Sequence, residues 1–145
     1  MRGMLSMIVR ALVFFNGMYD LLCFVGIMWF HTLPGFSTFH LSVFRNEEDR
    51  RHPLVRRLLA YWILTYGSIR VLAGWMDHES YAMDSAAAMT YFIEIFGFEY
   101  ELCVASGEDN NNNSIVQSKV TAITLMSLPL ATMLLVLRPL EGGGM

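Results

Sequence analysis

Four long runs in which polar residues are sparse divide the chain: Leu5 to Phe30, Leu58 to Met76, Ala82 to Val104 and Val120 to Leu137. Each is apolar almost all round, without the polar outer stripe that a helix of a soluble bundle carries. At 1.5 Å per residue such helices are about 27 to 39 Å long, which matches a hydrocarbon core of about 30 Å with some tilt in the longer ones. The pattern predicts an all-α, polytopic membrane protein. A single domain over residues 1–145 would bundle four transmembrane helices at about 5–30, 58–76, 82–104 and 120–137. The third run is the least apolar, with Asp84, Glu94, Glu99 and Glu101, and needs shielding by its neighbours.

The connectors change composition. After Pro34 and Gly35 break the first helix, "STFHLSVF" is amphipathic and aromatic, suited to the headgroup level, and the charged run "RNEEDRRHP" follows. "DHES" makes a tight helical hairpin between the second and third runs. "SGEDNNNNS" is a polar low-complexity loop in which Ser114 can cap the last helix, and "RPLEGGGM" is a frayed tail. The first run is too long, contains Asp20 and lacks a small-residue cleavage pattern, which argues against a cleaved signal peptide. The first 19 residues are free of acids, as in an organellar presequence, but the helical apolar pattern runs straight through them.

Composition supports the membrane reading: of 145 residues, 54% are apolar and 16% charged, and the mean hydropathy is +0.42. The formal charge of −3 excludes little, but the lack of a basic surplus and of a basic stretch interleaved with aromatics argues against nucleic acid as a partner. Arg45, Arg50, Arg51, Arg56, Arg57 and Lys119 lie on one side of the expected bundle, and Arg2, Arg10 and Arg138 on the other. The larger group faces the cytoplasm by the positive-inside rule, which turns both termini toward the lumen. Cys23 and Cys103 both fall in apolar runs and imply no disulfide framework.

An arginine inside an apolar run is the feature that demands an explanation. Arg70 sits well within "RRLLAYWILTYGSIRVLAGW", where a charge is costly in hydrocarbon. Asn16 and Asp20 are four residues apart and share a face of the first helix. Tyr66 and Arg70 repeat that spacing in the second, and Tyr91, Glu94, Phe98 and Glu101 line one side of the third. Turning these stripes toward one another lets Arg70 meet Asp20 or Glu94 away from lipid. Two plainer readings compete: Arg70 lies about 9 Å along the helix from Met76 and can snorkel to the interface, and Asp20 can be satisfied by Asn16 or a hydroxyl. A network of this kind holds a bundle together or, as the other reading, handles substrate or protons.

Motifs for catalysis are missing. His31, His40, His52 and His78 are scattered and form no i, i+4 ligand pair, so no metal site is expected. Neither Gly17 nor the Tyr66–Gly67 pair belongs to a phosphate loop, and no serine stands in a nucleophile elbow. No cofactor is expected, and catalysis by this chain alone is not supported. The 11 methionines read as packing or lipid-facing residues. "DSAAAM", with Gly67, Ala73 and Gly74, permits close backbone approach, within the bundle or against another membrane protein or a second copy of the chain.

Arg57, Trp62 five residues on and Arg70 eight further form an Arg-x4-Trp-x7-Arg arrangement that resembles the ergosterol biosynthetic protein 28 family. After the hairpin, Tyr81 opens a helix that ends in "GFEYE", similar to that family's His-Phe-x-x-Glu, with Phe98 and Glu101 in the matching places. Gly97 stands where the family has histidine, and Ile63 where it has threonine after the tryptophan. The resemblance covers roughly Arg57 to Glu101. It implies a small four-helix protein of the endoplasmic reticulum membrane that tethers the sterol C-4 demethylation enzymes without catalysing a step. It singles out Arg57, Trp62, Arg70 and Glu101 as structural or partner-contacting positions. Beside it stand an accessory subunit of a respiratory or photosynthetic membrane complex, and a small membrane protein that binds an apolar ligand between its helices through Asp20, Arg70 and Glu94.

Overall fold

The computed structural model describes residues 2–29, 38–41, 51–76, 81–105 and 113–137. The charged run over 42–50 with Arg45 and Arg50, the hairpin 77–80, the polar loop 106–112 and the tail from 138 lie outside the described residues. So do the side chains of Glu101, Cys103, Ser114 and Lys119.

The described elements are all helical: α1 (Arg2–Met28), a single turn α2 (Thr38–Leu41), α3 (Pro53–Trp75), α4 (Tyr81–Ala105) and α5 (Asn113–Val136). Each long helix begins before the apolar run that announces it. α3 starts five residues before Leu58, because Pro53 supplies a pre-set φ at the first helical position and His52 before it is extended. Its far end stops at Trp75, where Met76 turns extended while its N–H still bonds the carbonyl of Leu72 at 2.9 Å.

α1 and α3 run antiparallel in the closest contact of the fold. A Cβ placed on Gly17 would lie 2.7 Å from the Val71 nitrogen and 2.8 Å from the Gly67 oxygen. One on Gly74 would lie 2.6 Å from the Phe14 Cβ. Only glycine lets these backbones meet. α4 packs on α3 and on α5.

The interior is layered. Val9, Val13, Ala73, Ala87, Ala88, Tyr91, Ala131 and Leu134 form one apolar layer to which all four long helices contribute. Cys23, Ile27, Leu59, Ala60, Ile63 and Tyr66 form a second between α1 and α3, toward the other end of that pair. Asp20 and Arg70 fall between the two layers along α1 and α3. Outside, large apolar side chains remain exposed on every long helix, among them Phe15, Trp75, Phe96 and Leu125.

By length and composition, one helix among the described residues is long and apolar enough to cross a membrane, over Met4–Met28; Val120–Val136 makes a shorter apolar helix. Arg56, Arg57 and Arg70 in α3, and Asp84, Glu94, Glu99 and Glu101 in α4, dilute the other two.

Candidate functional site

Arg70 is the centre of the polar layer and is 1% exposed. Its Nη1 donates to Asp20 Oδ2 at 2.8 Å and to Asn16 Oδ1 at 3.2 Å, both on α1. Nη2 donates to Glu94 Oε2 at 2.5 Å and Nε to Thr90 Oγ1 at 3.0 Å, both on α4. The guanidinium lies between two rings, 3.8 Å from the Tyr91 centroid and 4.5 Å from that of Tyr66, where the negative ring faces attract it. Tyr91 in turn donates to Asn16 Oδ1 at 2.9 Å, and Thr90 to the Ala87 carbonyl at 2.7 Å. One side chain thus ties α3 to α1 and α4 at once.

Local spacing produces this convergence. Asn16 and Asp20 lie one turn apart above Gly17, whose missing side chain brings α1 within reach of Arg70. On α4, Thr90 and Glu94 are likewise four apart and present two oxygens to the same guanidinium. Taking a lone charge out of water costs several kcal/mol, on the order of what geometry this complete can offset. Snorkelling is corrected by the same contacts, since the head of Arg70 turns inward to two carboxyls and not outward past Met76.

A second arginine, which the sequence pattern marks only as an orientation charge, also joins three helices. Arg10 Nη2 donates to Asp84 Oδ2 at 3.0 Å, and Nη1 to the carbonyls of Ala73 at 3.0 Å and Met76 at 2.8 Å. It therefore serves carbonyls at the C-terminal end of α3, where a positive charge also meets the negative end of the helix dipole. The signal was available: Arg10, Phe14 and Gly17 lie on one face of α1.

His40, within the stretch expected at the headgroup level, packs against the helices. It is 2% exposed, its Nε2 shares a 3.0 Å hydrogen bond with the Tyr66 hydroxyl, and its ring lies 6.5 Å from that of Phe98. α2 thereby contributes to the interior. Burial, reinforced by the charge of Arg70, pushes the imidazole down to about 4.

Arg57 and Trp62 make no bond to Arg70. Arg57 is exposed, donates from Nε to the Pro53 carbonyl at 3.2 Å, and lines a cleft with Arg51 and Arg56. Trp62 sits at the rim, edge-on to Tyr66 at 6.0 Å. A Cβ on Gly97 would come within 3.2 Å of its ring, so the glycine that stands for the resembled family's histidine makes room for indole. Glu101 lies in α4 with its side chain outside the described residues. Glu99 accepts from Thr124 at 3.1 Å and links α4 to α5.

Chemically the cluster is closed. Asp20, Arg70 and Glu94 are spent on one another, and the cleft of Arg57 lies at the helix ends instead. Among the described residues no group of three or more His, Cys, Asp or Glu side chains is placed to hold a metal ion.

No curated protein and no solved structure matches the chain. A family model described as "Erg28 like protein" does, over residues 18–127, which is most of the chain and includes Asp20, the Arg57, Trp62 and Arg70 spacing, Glu94 and Glu101. With that span matched across α1, α3, α4 and into α5, the chain belongs to the Erg28-like family.

Proposed function

We propose that this protein is a non-catalytic, multi-pass scaffold of the endoplasmic reticulum membrane that holds enzymes of sterol C-4 demethylation together. The carrying observation is membership of a family whose description points to sterol biosynthesis. Two features of the molecule support a scaffold over an enzyme. Asn16, Asp20, Thr90 and Glu94 all bond to Arg70 inside the bundle, and large apolar side chains cover the outside of all four long helices, where lipid or partner helices are suitable neighbours.

All four long helices cross the bilayer in this reading. α1 qualifies by composition. α3 and α4 carry more charge than a lone span tolerates, but Arg70 and Glu94 neutralise each other inside the bundle, and Arg10 and Asp84 do so near one end of it.

Affinity purification from membranes in mild detergent tests the function. Recovery of sterol oxidase and dehydrogenase enzymes with the tagged chain is the expected result. Recovery of pigment- or redox-cofactor-bearing complexes in their place would assign the chain to an accessory subunit and sink the scaffold.

A further inference from the structure

Arg70 meets two carboxylates with one positive charge. Its Nη1 lies 2.8 Å from Asp20 and its Nη2 2.5 Å from Glu94, and none of the three side chains is more than 7% exposed. Either carboxylate balances the guanidinium, so with both ionised the cluster carries one negative charge in excess. Among the described residues no other cation bonds to Asp20 or Glu94, and Arg10 bonds to Asp84 instead. The other titratable groups that face the pair bring no charge. They are Tyr19 and Cys23 from α1, Tyr66 from α3 and Tyr91 from α4, phenols and a thiol that are neutral at pH 7. From α2, His40 bonds to Tyr66, and its imidazole, pushed down to about 4, is uncharged at that pH as well.

We propose that Asp20 and Glu94 form a proton-binding site, in which the two carboxyls hold one proton between them at neutral pH while Arg70 bonds to both. Two carboxylates crowded around one partner away from water repel each other with little solvent to screen them, and a shared proton removes the repulsion together with the unbalanced charge. No bond is given up, because a protonated carboxyl still accepts from the guanidinium through its carbonyl oxygen. The joint of α1, α3 and α4 is then electrically neutral, which is what an interior that cannot solvate a lone charge requires. The inference needs only the burial of these three side chains within the bundle. It is therefore independent of the sterol reading, and of whether lipid surrounds the helices.

Infrared spectroscopy of the full chain at pH 7, purified in a maltoside detergent that has no ester or carboxyl group, reads the site directly, since the C=O stretch of a protonated carboxyl lies above the amide I band. Carboxyls in water are ionised at that pH and silent in this region. The expected spectrum has one such band, equal to a single carboxyl per chain when scaled to the same sample in acid. Labelling aspartate or glutamate with carbon-13 at the side-chain carboxyl moves the band to lower frequency and tells which of the two holds the proton. Asp20→Asn and Glu94→Gln each leave Arg70 with one carboxylate, so each abolishes the band; the thermal midpoint of each variant checks that it is folded. A spectrum of the unaltered chain without the band, or a band that moves with neither label, overturns the proposal without recourse to any variant. Survival of the band in either folded variant overturns it too, because a carboxyl protonated by burial alone keeps its proton when the other is removed.

Discussion

The α1–α3 seam and the α3–α4 seam share one helix and are closed in different ways. The first rests on close fit: Gly17 and Gly74 bring backbone against backbone, with contacts that leave no volume for a methyl group, and this approach sets Arg70 against Asp20. The second depends on charge, with Arg70 reaching across to Glu94 and Thr90, while Arg10 on α1 bonds both Asp84 on α4 and the end of α3. Lipid chains are as apolar as leucine, so apolar burial alone does not draw membrane helices together; close fit and polar bonds remain. This chain uses both between α1 and α3, and polar bonds between α3 and α4. The glycine contacts should be intolerant of volume, and the α3–α4 seam should answer to charge.

Arg70→Ala tests the difference most severely. It leaves Asp20 and Glu94 buried without their partner and should cost about 3–5 kcal/mol, read as a large fall in the thermal midpoint and in abundance in membranes. Gly74→Leu, which touches no charge, should cost about 1–3 kcal/mol through overpacking against Phe14. If it proved harmless, close backbone contact would not be what holds α1 to α3. Next comes Arg10→Gln: Asp84 loses its ion pair and the end of α3 its cap, for about 1–2 kcal/mol, with local exchange of the last α3 amides rising before the whole molecule unfolds.

The smallest effect is a pH slope from His40. Its folded value of about 4 lies below the ordinary 6.5, so the unfolded chain binds its proton more readily. The contribution is complete above about 6.5 and is lost as pH falls toward 4. Between pH 7 and pH 6 the loss is under about 1 kcal/mol. Replacing His40 by glutamine should flatten that part of the curve; an unchanged slope would assign it to another group.

Much of the polar seam was legible because helical periodicity is short-range and strict. Asn16 with Asp20 and Tyr66 with Arg70 are one turn apart in sequence, and a charge in an apolar run has to be answered by another, which pointed to Asp20 and Glu94. Thr90 was overlooked although it sits one turn before Glu94, since a threonine in an apolar helix raises no alarm by itself. Arg10 and Asp84 were obscured by position: near the ends of their runs, each has water as an alternative partner. His40 was hidden for a different reason. Its burial depends on contacts with Tyr66 and Phe98, far away in sequence, which no local pattern records. The glycines of α3 announced close approach, but only the packed helices reveal that Gly17 is the opposing surface. Trp62 and Arg57 stood out by spacing, yet their places at the rim and beside the cleft required the fold.

The central claim is that charge, held inside the bundle, joins α4 to α3. A double-mutant cycle on Arg70→Met and Glu94→Gln, read by unfolding in mild detergent, measures it directly. The account predicts a coupling of about 2 kcal/mol, with the double variant more stable than the sum of the single losses allows. Additive losses would contradict it and leave the two side chains as neighbours without a bond that matters.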